Sequence, residues 1–153
     1  MSAPSQARTL TCRLRDTRRR LERDVDAWFS TAGPAGGAPY LVPLSFFWDG
    51  STLLIATVSA SPTGRNLEST GRVRVALGTT RDVVLIEATA RAFLASDLGA
   101  DVLDAFAAKT GFDPRGQSRY LYFRITPHRV QAWREVNELE GRDLMLEGEW
   151  VAD

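Results

Sequence analysis

The residues best suited to chemistry lie together in "SASPTGRNL", 59–67. Ser61 and Thr63 offer hydroxyls, Arg65 a forked cation and Asn66 an amide. Ser61 is also a good N-cap, and Pro62 falls at the first helical position, where its missing N–H costs nothing. Gly71 fits the position that ends a helix in the left-handed conformation. The stretch therefore predicts a short helix from about 61 to 70. A helix start presents free N–H groups and the positive end of the dipole, which together bind phosphate. Gly64 in the first turn would let a ligand approach the backbone. The same residues also suit an ordinary capped helix with a solvated Arg65, and chemistry alone leaves both readings open.

Little else in the chain competes for a catalytic role. It has one cysteine, Cys12, and one histidine, His128. That excludes an intrachain disulfide framework and a Cys/His metal site. No Ser/His/Asp set or paired carboxylates can be assembled. His128, just after Pro127, could protonate a substrate or could be structural.

Length and charge narrow the class. The 153 residues fit one domain, 1–153, large enough to bury a real core. The net charge of zero argues against nucleic acid as a partner. No apolar run reaches the ~20 residues of a membrane span. The start "MSAPSQARTL" lacks signal-peptide order, so a cytoplasmic location is expected. Charge is uneven along the chain. Seven arginines fall in 8–24, within an Arg-rich N-terminal helical segment spanning 1–24. Within the acidic tail, 134–153, residues 135–153 hold seven acids against Arg142 alone. The two ends could pack together, within one chain or across a dimer, or could be two solvated faces.

The elements that must position residues 59–67 follow from local patterns. "DTRRRLERD", 16–24, reads as a helix capped by Asp16. "VDAWFSTA", 25–32, reads as a strand, and "GPAGGAP", 33–39, as a turn. "YLVPLSFFW", 40–48, and "STLLIATV", 51–58, flank Asp49-Gly50 and predict a hairpin over 40–58. "RVRVALG", 72–78, and "DVVLIEATARAFL", 82–94, are further strands. Ser96 and Asp97 open a helix with Leu98, Val102, Leu103 and Phe106 on one face, stopped by Gly111. "YLYFRITPHRVQAW", 120–133, is a long strand bulged at Pro127. "GRDLMLEGEW" ends the chain as a small hairpin or coil. About six strands with short helices predict a small antiparallel barrel. Both faces of 40–48 are apolar, so the outer one needs a helix, a ligand or a second subunit over it.

The order of these stretches resembles the flavin-binding split-barrel family, whose best-known member is pyridoxamine 5′-phosphate oxidase. Over roughly 25–133, "PYLVPLSFFWDGSTLLIAT" resembles its first hairpin and "ATVSASPTGRNLESTGRVRVAL" its phosphate-binding helix start. "TRDVVLIEATARAF" resembles its central strand and "RITPHRVQAW" its closing strand. The resemblance implies a mainly β fold, a six-stranded antiparallel split β-barrel with short helices, and a homodimer holding FMN at the subunit interface. Thr57, Ser61, Thr63, Arg65 and Asn66 would surround the phosphate and ribityl chain. Pro43, Leu44 and Ser45 would line the ring, and Trp133 would fall near the ring or the dimer seam. The implied activity is hydride transfer between the cofactor and a small organic substrate. A non-enzymatic flavin, F420 or haem carrier is the alternative.

The departures from the pattern are specific. Thr63 and Gly64 stand where the oxidase carries an Arg-Lys pair at its helix start. "REVNELEGRDL" lacks the histidine of the run that grips pyridoxamine phosphate, which argues against that reaction. The chain looks more like the actinobacterial branch of the family, where some members use the deazaflavin coenzyme F420. That cofactor has an anionic polyglutamate tail, which the Arg-rich segment 13–23 would hold if it borders the pocket.

Overall fold

The computed structural model describes Ala3 and residues 5–153. Helix α1, Leu10–Arg23, leads into strands β1, Asp26–Gly33, and β2, Gly36–Ser45. β3, Phe47–Trp48, and β4, Leu53–Val58, precede helix α2, Pro62–Thr70. β5, Arg72–Thr79, and β6, Asp82–Phe93, come next, then a single 3₁₀ turn, Ala95–Asp97, and helix α3, Ala100–Thr110. The long β7, Tyr120–Trp133, a second 3₁₀ turn, Val136–Glu138, and the hairpin β8, Asp143–Leu146, with β9, Glu149–Trp150, complete the chain. No helix among the described residues is long and apolar enough to cross a membrane.

The strands form one antiparallel sheet in the order β2-β1-β5-β6-β7-β4-β3, with β8 and β9 attached to β7. The two edges of this path, β2 and β3, are consecutive in sequence. Only Phe46 separates them. It is fully buried, and its N–H donates to the Val25 carbonyl at 2.9 Å. The sheet therefore curls until its edges meet through one residue, as a split barrel does. Phe29, Phe46, Ile55, Ile86 and Phe123 fill the interior. Leu14 and Leu21 of α1 join this cluster, while Leu103 and Phe106 of α3 pack with Leu54 and Tyr122 on the opposite side of the β4–β7 pair.

The expected hairpin over 40–58 is replaced by two pairings. Residues 40–45 pair with β1, Asp26 opposite Ser45 and Thr31 opposite Tyr40, and only Phe47-Trp48 pair with β4. Two glycine turns share the stretch. Gly36, at φ 83°, closes the turn opposite Gly33 so that β2 runs back along β1, and the Asp49-Gly50 turn joins only Phe47-Trp48 to β4. Helix α1 also starts earlier than expected. Thr9 rather than Asp16 is its N-cap, accepting from the Cys12 N–H at 3.2 Å. The helix expected from Ser96 starts at Ala100, because Asp97 turns back to accept from the Leu94 N–H at 2.8 Å and closes a separate turn.

Other expectations hold in detail. Ser61 caps α2 and Gly71, at φ 63°, ends it. β7 bulges beside Pro127: Glu87 faces Arg129 and Ala88 faces Pro127, so His128 is the extra residue. The C-terminal stretch is a hairpin, turned by Glu147 and Gly148, both with positive φ.

The oppositely charged ends pack together within the chain. Arg8 bonds Glu138, and Arg13 donates to the carbonyls of Ala132, Glu138 and Glu140. Arg18 lies over the Trp150 ring at 4.9 Å.

Candidate functional site

A pocket of about 580 Å³ opens where β2, β4, α2 and α3 converge. This volume suits a small organic ligand or a cofactor ring. One wall is Asp26, Pro43, Leu44 and Ser45, at the end of the β1–β2 pair. A second is Ala56, Thr57 and Val58 of β4 with Ser61 at the head of α2. The third is Phe106 and Thr110 of α3 with Phe112 and Tyr120 beyond it. The curl of the sheet at Phe46 is what brings the first two walls face to face.

The head of α2 is built by hydrogen bonds. Ser61 Oγ accepts from the Gly64 N–H at 3.0 Å and donates to the Val58 carbonyl at 2.7 Å. Thr57 Oγ1 lies 3.5 Å from Ser61 Oγ. A side-chain cap of this kind is worth about 1 kcal/mol to the helix. Gly64 serves packing rather than ligand approach. A Cβ there would collide with the Val58 carbonyl and come within 2.8 Å of the Ser59 carbonyl.

The residues expected around a phosphate divide into two groups. Thr57 and Ser61 line the pocket. Thr63 is 2% exposed and turns into the fold, and Asn66 donates to Thr31 Oγ1 at 3.1 Å. Arg65 is exposed on α2. Pro43, Leu44 and Ser45 line the pocket together. Trp133 is not brought to it: Leu121 faces Thr57, and Trp133 lies about 40 Å further along the same strand at ~3.3 Å per residue. None of the α1 arginines lines the pocket. Arg15, Arg18 and Arg19 border a separate groove with Asp153. His128 bonds Thr89 Oγ1 at 2.7 Å, away from the pocket.

Sequence reasoning missed the α3 wall and Asp26. Phe106 and Thr110 were legible only as helix residues, and Phe112 and Tyr120 as flanks of a loop. The α3 wall is fastened from behind. Lys109 donates to the Glu22 carbonyl at 3.0 Å and lies 5.1 Å above the Phe46 ring, and burial lowers its pKa. Tyr122 packs edge-on against Phe106, with ring centres 5.5 Å apart, and burial raises its pKa.

A curled antiparallel sheet with a pocket at the head of its second helix defines the chain as a split barrel. The chain belongs to the pyridoxamine 5′-phosphate oxidase family, whose model matches residues 16–134. Similar solved structures agree on the fold. An F420 reductase superposes with a TM-score of 0.60 at 16% identity, over 74% of this chain and 94% of that one. General stress protein 26 from Bacillus anthracis gives 0.56 at 19%, over 78% and 93%. A heme binding protein from Mycobacterium smegmatis gives 0.66 at 18%, over 97% of this chain and 60% of that one. No curated protein sequence matches it.

The residues present fit a flavin-type group. Pro43–Ser45 offer a mostly apolar wall, and the α2 head offers hydroxyls and a helix start. The basic pair of the oxidase pattern has no counterpart there, since Thr63 and Gly64 stand at those positions in the first turn of α2.

Proposed function

We propose that this chain is a flavin-type oxidoreductase using FMN or the deazaflavin F420 with a small organic substrate. One observation carries the reading: the head of α2, with Thr57 and Ser61, opens into the same pocket as Pro43, Leu44 and Ser45. Such a group supplies hydride-transfer chemistry; the protein supplies binding, orientation and polarity. Thr57 and Ser61 would hold the phosphate with the helix dipole, and Arg65 would neutralise it from the rim. Pro43, Leu44 and Ser45 would floor the ring and exclude water from that side. Phe106 and Phe112 would cover the space left for substrate.

On this reading the functional unit is a cytoplasmic homodimer. Trp28 and Leu41 are 48% and 58% exposed and stand on one outer face of the sheet with Leu85. Exposed apolar area of this kind marks an interface, and Trp133 lies on the same face. Trp133 is then a seam residue.

A carrier role is the second reading, favoured by the 97% coverage of this chain against the heme binding protein. Among the described residues the pocket lining carries no His, Cys or Met, and Tyr120 is its one side chain of a type that ligates haem iron. A side-by-side titration with FMN, F420 and haem tests this. Tight binding of FMN or F420 is expected; binding of haem alone overturns the oxidoreductase reading.

A further inference from the structure

The pocket carries a charge that cofactor binding leaves unused. Asp26 is the only acidic or basic side chain in the pocket lining among the described residues. It sits at the last register position of the β1–β2 pair, opposite Ser45. Ser45 donates its hydroxyl to Asp26 Oδ1 at 2.6 Å. That bond orients the carboxylate and leaves Oδ2 without a hydrogen-bond partner among the described residues. No arginine or lysine pairs with Asp26 among them either. Another wall of the same pocket is lined by Phe112, 37% exposed, with Tyr120 and the buried Phe106.

A carboxylate and aromatic rings around one cavity favour a cation. The carboxylate attracts it through charge, and an accessible aromatic side chain such as Phe112 favours a cation through its quadrupole. An anion at this end meets like charge. The head of α2 has the opposite preference, because a helix N-terminus favours anions. The pocket is thus polarised between its β1–β2 wall and its α2 wall.

We propose that Asp26, oriented by Ser45, is a specificity-determining residue of this pocket, and that it selects a small primary ammonium compound with an apolar or aromatic body. Calling that compound the substrate rests on the flavin-type reading above. Its recognition by Asp26 does not.

The test compares benzylamine, a cation at neutral pH, with benzoate, an anion of similar size. Binding is followed by NMR chemical-shift titration of the chain, with and without FMN. Asp26 is exposed, and Asp26→Asn keeps an acceptor for the Ser45 hydroxyl, so the fold is retained. Benzylamine is expected to bind about fivefold more tightly than benzoate, the range of a solvent-accessible charge contact. In Asp26→Asn the ratio falls to about one. Equal binding of the two probes, binding of neither, or a preference that survives Asp26→Asn overturns the proposal. Cofactor titration of the same protein separates the two readings. Loss of the ammonium preference in Asp26→Asn, in a chain that binds neither FMN nor F420, upholds the Asp26 assignment and removes the flavin reading. Cofactor binding without an ammonium preference does the reverse.

Discussion

Arg8 and Glu138, at opposite ends of the chain, meet through three hydrogen bonds. The Arg8 N–H and Nε donate to Oε1 at 2.9 and 3.0 Å, and Nη2 donates to Oε2 at 2.8 Å. The Arg134 N–H adds a fourth, to Oε2 at 2.8 Å. Glu138 is 2% exposed. It ties the segment before α1 to the turn after β7 and joins the ends of the barrel in one charged cluster with Asp16 and Asp82.

This pair predicts a specific acid sensitivity. The hydrogen bonds from the Arg8 side chain hold the Glu138 carboxyl at about 2, below its ordinary 4.5. A carboxylate depressed in the folded state contributes stability that is complete above its ordinary value and drains as pH falls toward the folded one. Stability of the wild type should therefore fall between about pH 4.5 and 2. Arg8→Ala leaves a buried carboxylate without its partner and should cost roughly 3–5 kcal/mol at neutral pH. Glu138→Gln should flatten the acid limb. Urea unfolding across that pH range checks both, and an unchanged acid limb in Glu138→Gln would count against the pair.

At the head of α2, Arg65 and Ser61 separate two kinds of contribution. Arg65 is exposed and belongs to no ion pair among the described residues, so Arg65→Ala should leave stability within about 0.5 kcal/mol of wild type. On the proposed function it should still weaken FMN or F420 binding about tenfold, the order of one charge-assisted contact. Ser61→Ala should do both, costing about 1 kcal/mol through the lost cap and weakening the cofactor as well. Flavin fluorescence titration beside thermal melts tells them apart. Unchanged affinity in Arg65→Ala removes Arg65 from the site.

Gly64 gives a purely structural control. Its φ is ordinary, so the demand comes from space: a Cβ meets the backbone carbonyls of Val58 and Ser59. Backbone cannot yield as a flexible side chain does. Gly64→Ala should destabilise the chain by about 1–3 kcal/mol through overpacking, despite alanine's better helix propensity. Chemical denaturation measures this, and a neutral or stabilising result would mean that β4 and α2 separate easily.

What the sequence made legible was local. Ser61, Pro62 and Gly71 mark α2 because caps act within a few residues. Pro127 marked the bulge because its missing N–H breaks any ladder. Choices between partners were not legible. Asp49-Gly50 and Gly33–Gly36 both offered turns, and only the three-dimensional curl decides that β2 joins β1 and leaves Phe47-Trp48 to β4. The same holds for the site. Ser45 was identified as a lining residue, while its bond to Asp26 depends on that register. The charged ends were visible as composition, but the burial of Glu138 beneath Arg8 depends on contacts 130 positions apart.

The outer face gives the last prediction. Trp28 stands opposite Pro43 on one side and Ala76 on the other, and Ala76 stands opposite Leu85. Directly opposed residues share a face of the sheet, so these four form a continuous apolar row. Leu41, opposite Ser30, extends it from the next row. A second copy of the chain laid on this row would remove Trp28 and Leu41 from water. On the proposed homodimer, sedimentation or light scattering should give about twice the 16.9 kDa of one chain. Trp28→Asp would bury a charge at that seam, which costs several kcal/mol when no partner is supplied, about enough to separate the copies at micromolar concentration. Trp28 is half-exposed in the single chain, so the fold itself should survive the change. A Trp28→Asp protein that keeps the wild-type mass places the interface elsewhere. A wild type that runs at 16.9 kDa removes the dimer and, with it, the seam role of Trp133.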